Sequence, residues 1–263
     1  MTIKKHIPNA ITCCNLLCGC LAIVQAFEGN LVYSAYLVGL GAIFDFFDGF
    51  AARMLKVSSP IGKDLDSLTD MVTFGVVPGI VVFQLYQFSM MNYVERCHGD
   101  EMPPYFVFLK YSAFVITIFS AIRLAKFNND TRQTDSFIGV PTPAVAIFIL
   151  SIAFILSKNY YGVYDFDGCL VRSGFIKILA FIAEPHVLFI MSIILSLLLV
   201  SELPLFALKF KHFKWKENEI RFVFLGLSLV MLITLQFVGI PLIIILYILM
   251  SMISNLTKKK LPS

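Results

Sequence analysis

Charged side chains are scarce in this sequence, and that scarcity decides the broad class of protein. Of 263 residues, 14% are charged and 58% are apolar, and the mean hydropathy is +0.83. Soluble domains carry about 25% charged and about 45–50% apolar residues. The sequence also lacks a basic stripe with interleaved aromatic residues, so we expect no nucleic-acid partner. The composition predicts a protein whose solvent is the lipid bilayer.

Apolar segments long enough to cross a bilayer run through most of the chain. A helix needs about 20 apolar residues to span a hydrocarbon core of about 30 Å. We therefore predict an all-α polytopic membrane protein with about eight spans. Residues 1–202 form a membrane core, 203–220 a basic, aromatic-rich cytoplasmic linker, and 221–263 a transmembrane hairpin with a basic tail. The predicted spans are Ala10–Phe27, Leu31–Leu55, Leu68–Met91, Tyr105–Leu124, Pro141–Leu156, Val187–Val200, Arg221–Val238 and Ile240–Asn255.

The first apolar segment lacks a convincing small-residue cleavage site, so we expect a retained helix and not a signal peptide. It contains four of the six cysteines, Cys13, Cys14, Cys18 and Cys20. Cysteines grouped in an apolar segment are typical of small buried hydrophobic residues and not of a disulfide framework. Cys97 and Cys169 both fall in predicted outer loops, and whether they pair stays open.

The Lys and Arg residues predict the orientation of the spans, because cytoplasmic loops carry an excess of them. With the N-terminus inside, the outer loops are acidic and both termini are cytoplasmic. The cytoplasmic segments then hold most of the 21 basic residues: Lys4, Lys5, Arg53, Lys56, Lys63, Arg123, Lys126, Arg132, Lys209, Lys211, Lys214, Lys216, Arg221 and Lys258–Lys260.

Four aspartates stand close together in the apolar sequence. Asp45 and Asp48 are three residues apart, and Asp66 and Asp70 are four apart on the next predicted helix, so each pair shares a helix face. Asp45 lies roughly 21 Å along a span that starts at Leu31. A lone carboxylate deep in the membrane costs roughly 2.5–3.5 kcal/mol. Divalent cations would neutralise the cluster, and carboxylate oxygens are the ligands that Mg²⁺, Mn²⁺ and Ca²⁺ prefer.

Small residues and an arginine follow the first aspartate pair. Gly49 and Ala52 leave room for a large anionic ligand, and Arg53 offers a fork of donors suited to phosphate oxygens. Together these residues predict a site for two divalent cations and a diphosphate. An alternative is that the aspartates only pair with Arg53 or Lys63, which is less compatible with four carboxylates at this spacing.

This segment resembles the signature of the CDP-alcohol phosphotransferases, D-x2-D-G-x2-A-R-x8-G-x3-D-x3-D, at every position. The matching residues are Asp45, Asp48, Gly49, Ala52, Arg53, Gly62, Asp66 and Asp70. The resemblance implies a six-helix membrane core and two Mg²⁺ or Mn²⁺ ions held by the four aspartates. It also implies Asp70 as the proton acceptor, and contacts to the CDP-lipid from Gly49, Ala52, Arg53, Ser59 and Gly62.

Three further stretches resemble the phosphatidylserine synthase branch of that family: Ile7–Thr12 with Asn15 and Gly19, Asp66–Pro78, and Arg123–Asn128 with Phe137–Ala144. They imply CDP-diacylglycerol as donor, L-serine as acceptor and CMP as leaving group. Arg123, Lys126 and Asn128 are predicted to end the fourth span on the cytoplasmic side, where they could bind the acceptor. Positive-inside anchoring is the alternative for Arg123 and Lys126.

Two other functions stay open. A sister enzyme would use the same donor with glycerol 3-phosphate or an inositol phosphate as acceptor, and the core signature does not separate these. An ion-coupled transporter would carry cations or protons on its buried carboxylates. The carboxylate motif has no repeat in a second half, which disfavours the transporter. The sequence is also compatible with a homodimer.

Overall fold

The structure is a computed structural model that describes residues 3–57, 59–96, 104–129, 137–159, 178, 181–206, 215 and 218–258. Its elements are nearly all helical. In chain order they are α1 (Ile3–Phe27), α2 (Leu31–Leu55), α3 (Pro60–Asp70), a π-helix (Met71–Val76), α4 (Val77–Arg96), α5 (Pro104–Leu109), a 3₁₀ turn (Lys110–Ala113), α6 (Phe114–Asn129), β1 (Phe137–Ile138), α7 (Thr142–Asn159), α8 (Pro185–Val200), β2 (Pro204–Leu205), α9 (Glu219–Leu235), a second 3₁₀ turn (Gln236–Val238) and α10 (Gly239–Lys258).

The helices confirm the prediction of an all-α polytopic membrane protein. Five helical stretches among the described residues are long and apolar enough to cross a membrane, and α7 and α8 are shorter apolar helices. The last stretch, Glu219–Leu256, is interrupted at Gln236, whose positive φ of 50° ends α9. Helices α9 and α10 pack against each other as a hairpin. Each of the eight predicted spans overlaps a helical stretch of the described residues.

The helix that carries Asp66 and Asp70, α3, begins at Pro60, ahead of the predicted span Leu68–Met91. Ser59 caps it: the Ser59 Oγ accepts a hydrogen bond of 3.0 Å from the backbone N–H of Gly62. Proline fits the first helical position because the missing N–H would have no helical partner there. The residues of this first turn are polar, so a search for apolar segments does not find the start of the helix. Serine followed by proline is nevertheless a helix-start pattern.

A π-helical segment, Met71–Val76, directly follows Asp70. Pro78 has no N–H, so it cannot complete the ladder of an α-helix at this point. The Thr117 hydroxyl on α6 donates to the Gly75 carbonyl at 3.0 Å, and the Thr73 hydroxyl donates to the Asn15 carbonyl at 3.3 Å. Single π turns inside α-helices are frequent at functional sites. In this bundle the π turn separates the aspartates from the buried residues of α4.

The core lies where α4 packs between α1, α6, α7 and α8. Phe74, Tyr86, Ile116, Ile149 and Leu188 have almost no exposed surface. The outer faces carry large apolar side chains, which are the expected contact surface for lipid tails.

A short antiparallel strand pair joins the segment before α7 to the segment after α8, and the sequence had predicted no strand. Phe137 pairs with Leu205 and Ile138 pairs with Pro204. Leu205, in the segment expected to be a linker, is completely buried. Residues 207–214 and 216–217 of that segment lie outside the described residues, as do Cys97 and Cys169.

Candidate active site

Helices α1, α2 and α3 meet at one end of the bundle and bring the predicted aspartates together. Asp45 and Asp48 lie in the last three turns of α2, and Asp66 lies in the second turn of α3. One carboxylate oxygen from each of these three residues lies within 4.8 Å of the other two. Asp48 is buried, and Asp45 and Asp66 are partly buried. Three of the four predicted metal ligands therefore form one compact group.

Asp70 lies beside that group and not in it. Its side chain is within hydrogen-bonding reach of Asp45, and it interacts electrostatically with Arg123 on α6. The Asp70 Oδ1 atom is buried and has no hydrogen-bond partner among the described residues. A buried carboxylate oxygen without a partner is costly, which is expected where a ligand completes the site. Asp70 therefore interacts with both the carboxylate group and Arg123.

Thr12 on α1 supports the carboxylate group from the other side. Its hydroxyl lies 2.6 Å from Asp48 Oδ2 and 3.0 Å from the Pro8 carbonyl. A separation of 2.6 Å is typical of a hydroxyl that donates to an ionised carboxylate. The single hydroxyl proton of Thr12 therefore belongs to the bond with Asp48, and this bond fixes the orientation of that carboxylate.

The donor set fits a hard divalent cation. Two oxygens bound to one Mg²⁺ at about 2.1 Å can be at most about 4.2 Å apart, and Ca²⁺ allows about 5 Å. The oxygens of Asp45, Asp48 and Asp66 are within 4.8 Å, so a small rotation of their side chains brings them to a shared cation. Without a cation, three carboxylates at this separation repel one another.

A pocket of about 260 Å³ opens beside the carboxylates, between α1, α2 and α3. Four of the five residues predicted to contact the CDP-lipid line it, namely Gly49, Ala52, Ser59 and Gly62. Asp48, Asp66 and Thr12 also line it, so carboxylates stand directly at its wall. Remaining wall residues include Pro8, Asn9, Val57 and Lys63. The pocket and the candidate metal site are continuous.

Arg53, the fifth predicted donor contact, lies at the edge of this pocket. Its guanidinium folds back over Gly49: a Cβ atom at Gly49 would lie 3.5 Å from Arg53 Nη1 and 4.0 Å from Nη2. The side chain is exposed and can swing toward the pocket. A glycine at position 49 keeps this side of α2 open for that movement.

The three residues predicted to bind the acceptor do not lie together. Arg123 is buried, and its Nε donates to the Val140 carbonyl at 3.2 Å. The Asn128 Nδ2 donates to Ser67 Oγ at 2.9 Å, which ties α6 to α3. Lys126 is exposed on the outer surface of α6. Of these three residues, Arg123 is the one whose charge interacts with that of Asp70 among the described residues.

A second layer of buried polar residues lies one helical turn deeper. Asn15 is completely buried, and neither polar atom of its side chain has a hydrogen-bond partner among the described residues. A Cβ atom at Gly41 would lie 2.7 Å from Asn15 Oδ1 and 2.9 Å from Thr73 Cγ2. A Cβ atom at Gly19 would lie 2.5 Å from Thr73 Oγ1. These glycines let three helices approach around Asn15.

Sequence reasoning assigned no role to Thr12 or Asn15. The available signal was periodicity: residues 8, 12, 15 and 19 follow the spacing of one helix face, and they are proline, threonine, asparagine and glycine in an otherwise apolar helix. The expectation of buried cysteines was wrong for three of four. Cys18 is buried, whereas Cys13, Cys14 and Cys20 lie on the outer surface of α1, and all four are free.

Several known proteins are similar to this chain in sequence. The CDP-diacylglycerol–serine O-phosphatidyltransferase of Bacillus subtilis (strain 168) is 32% identical over 215 residues, 82% of this chain and 95% of the relative. The protein of that name from Helicobacter pylori (strain J99) is 31% identical, over 85% of this chain and 80% of its own. The one from Methanocaldococcus jannaschii is 28% identical, over 77% and 87%. The family model for CDP-alcohol phosphatidyltransferase matches residues 5–183, which contain every aspartate of the site. The chain belongs to the CDP-alcohol phosphatidyltransferase family.

Proposed function

We propose that this protein transfers the phosphatidyl group of CDP-diacylglycerol to L-serine, giving phosphatidylserine and CMP. One observation carries the proposal: three carboxylates that fit a cation adjoin a pocket lined by Gly49, Ala52 and Gly62. Such a wall accepts a bulky diphosphate while placing its oxygens next to bound metal. The names of the relatives supply the serine acceptor.

Asp45, Asp48, Asp66 and Asp70 would hold two divalent cations, Mg²⁺ or Mn²⁺. These ions would stabilise negative charge on the diphosphate and on departing CMP. Asp45, Asp48 and Asp66 form the compact group, and Asp70 contacts it through Asp45. Thr12 holds Asp48 in a fixed orientation, as residues around a metal site commonly do for its ligands.

The donor would occupy the pocket between α1, α2 and α3. Arg53 swings from its position over Gly49 and donates to diphosphate oxygens. Ser59 already accepts from the Gly62 N–H, and its own hydroxyl proton is free to be donated to a phosphate. The diacylglycerol tails would stay in the bilayer, where α2 offers exposed apolar side chains such as Phe46, Phe50 and Met54.

Asp70 would remove the proton from the serine hydroxyl. The serine oxygen then forms a bond to the phosphorus of the phosphatidyl group, the bond from that phosphorus to the CMP oxygen breaks, and the proton remains on Asp70. Serine is a weak nucleophile that needs such a base. Arg123, a buried residue whose charge interacts with that of Asp70, would bind the serine carboxylate and direct the hydroxyl toward the base.

The site would open to the cytoplasm. Arg53, Lys56 and Lys63 all lie at the same end of the bundle as the aspartates, and basic residues favour the cytoplasmic side. Serine and CMP are water-soluble, so this side allows them to enter and leave without crossing the bilayer.

The test is an acceptor screen with purified protein, CDP-diacylglycerol and Mn²⁺. Labelled serine, glycerol 3-phosphate and inositol phosphate are offered separately, and lipid product and CMP are measured. We expect lipid product from serine alone. Product from glycerol 3-phosphate or inositol phosphate, with none from serine, would show that serine is not the acceptor, while the transfer chemistry of the family would still hold. Transport of cations without any release of CMP would contradict the assignment as an enzyme.

A further inference from the structure

The C-terminal hairpin lies beyond the residues matched by the family model, and it makes specific polar contacts with the rest of the bundle. The Tyr247 hydroxyl on α10 donates to the Phe206 carbonyl at 2.8 Å. The Asn255 Nδ2 donates to the Pro204 carbonyl at 2.6 Å. Both acceptors are backbone atoms in or next to β2. A hairpin that served only as a membrane anchor would not need contacts to one strand.

Aromatic packing strengthens the same contact. The Phe206 ring lies 4.9 Å from the Tyr247 ring and 5.8 Å from the Phe224 ring of α9, in edge-to-face arrangements. Rings at these separations attract one another beyond simple burial. Both arms of the hairpin therefore hold β2 in place.

Strand β2 in turn holds the segment that contacts Arg123. β1 pairs with β2, and the next residue, Gly139, donates its N–H to the Leu203 carbonyl at 2.9 Å. Gly139 has a φ of +75°, and a Cβ there would lie 2.8 Å from the Leu199 carbonyl oxygen. Val140 donates its N–H to the Leu198 carbonyl at 3.1 Å. The position of the Val140 carbonyl is thus set by β2 and the end of α8.

The Val140 carbonyl accepts a hydrogen bond from Arg123 Nε at 3.2 Å. An arginine has five N–H donors in a rigid fork, so fixing Nε sets the direction of the other donors. Arg123 is buried, and its charge interacts with the Asp70 carboxylate. Contacts therefore run without a gap from Tyr247 and Asn255 through β2, β1 and Val140 to Arg123.

We propose that the C-terminal hairpin is a brace for the acceptor side of the active site, and that Tyr247 and Asn255 are positioning residues that act through Arg123. The inference rests on the proposed role of Arg123 as the residue that binds the acceptor carboxylate. It assigns a function to a hairpin whose membrane-embedded part has no charged residue between Arg221 and Lys258.

The test uses the full-length protein with Tyr247→Phe and Asn255→Leu, alone and together. These changes remove one donor each and nearly keep the shape. The matched control is Thr234→Val, an exposed residue of the same hairpin whose hydroxyl bonds only within α9. Initial rates of CMP release are measured against serine and against CDP-diacylglycerol. We expect the KM for serine to rise by about threefold to tenfold in the double variant, with the KM for CDP-diacylglycerol unchanged.

A double-mutant cycle with Arg123→Lys separates positioning from general destabilisation. Lysine keeps the charge but has no Nε fork for Val140 to hold. If the brace acts through Arg123, the hairpin changes add little to the serine KM once Arg123 is Lys. Fully additive effects, equal effects on both substrates, or no effect of the double variant would overturn the proposal. If the double variant does not fold, Tyr247→Phe alone is taken through the cycle.

The same cycle is followed by thermal denaturation in detergent, which needs no acceptor. If the wild-type protein makes no lipid from serine, the proposed function has failed. The brace is then tested by comparing the shift of the denaturation midpoint in the combined hairpin and Arg123 variant with the sum of the shifts in the separate variants. A combined shift that differs from this sum supports the contact path from the hairpin to Arg123, and a combined shift equal to the sum rejects it.

Discussion

Thr12→Val tests whether the hydroxyl next to Asp48 supports metal binding. Thr12 has 4% of its surface exposed, and valine has nearly the same shape, so the change removes the hydroxyl with little effect on packing. A hydrogen bond from a hydroxyl to a charged group contributes about 1.5–3 kcal/mol. In the variant, Asp48 keeps its charge but loses the hydrogen bond of 2.6 Å from the Thr12 hydroxyl, the one side-chain donor to Asp48 among the described residues.

The expected consequence is weaker metal binding. Loss of a residue that orients a metal ligand commonly lowers metal affinity by about 10- to 100-fold. We therefore expect the Mn²⁺ concentration for half-maximal CMP release to rise by about that factor, with near-normal turnover at saturating Mn²⁺. Thr12→Ser is the matched control, because serine keeps the hydroxyl and should behave like the wild type.

The assay is CMP release in buffers with fixed free Mn²⁺, followed by the same titration with Mg²⁺. Residual activity in excess chelator would show that the carboxylates work without a divalent cation. An unchanged half-saturating concentration in Thr12→Val, with the protein folded, would show that Asp48 is not a metal ligand or that Thr12 does not orient it. Either result would contradict the claim that Thr12 supports metal binding by orienting Asp48.

The remaining predictions concern the base, the donor clamp, the helix contacts and the topology. Asp70→Asn should lower turnover by at least about 100-fold while CDP-diacylglycerol still binds, and near-normal turnover would show that Asp70 is not the base. Arg53→Ala should raise the KM for CDP-diacylglycerol by about 10- to 100-fold, with serine KM measured alongside as the unaffected comparison. Gly41→Ala should lower the denaturation midpoint by the equivalent of about 1–3 kcal/mol because its Cβ would meet Asn15 and Thr73, whereas Gly39→Ala, with nothing within 4 Å, should not. Lys56→Cys in a cysteine-free background should resist an impermeant thiol reagent in intact cells, and labelling from outside would reverse the orientation.

The sequence predicted the ends of a helix well where the composition changes between apolar and polar at those ends. Leu31–Leu55 was predicted to the residue, because its ends are set by a change from apolar to polar composition. The predicted span Leu68–Met91 starts later than α3 because residues 60–66 are polar for a membrane helix, and the cap of α3 depends on the geometry of Ser59. The π-helix and the β1–β2 pair also escaped, since both depend on contacts between residues far apart in the chain.

The candidate site was predicted in composition but not in arrangement. The signature residues indicated which side chains belong together, and most of them line one pocket or lie at its edge. Spacing along two helices did not reveal that Asp70 stands apart from the other three aspartates. It also did not reveal Thr12, because a lone hydroxyl in an apolar helix commonly bonds to its own backbone. Which face of α1 meets Asp48 is decided by helix packing.

The most direct test of the proposed reaction follows the serine oxygen. Serine labelled with ¹⁸O in its hydroxyl group is given to the purified protein with CDP-diacylglycerol and Mn²⁺, and both products are analysed by mass spectrometry. We expect one ¹⁸O in every phosphatidylserine formed and none in CMP, because the serine oxygen attacks the phosphatidyl phosphorus. Lipid without the label, or label in CMP, would contradict this mechanism.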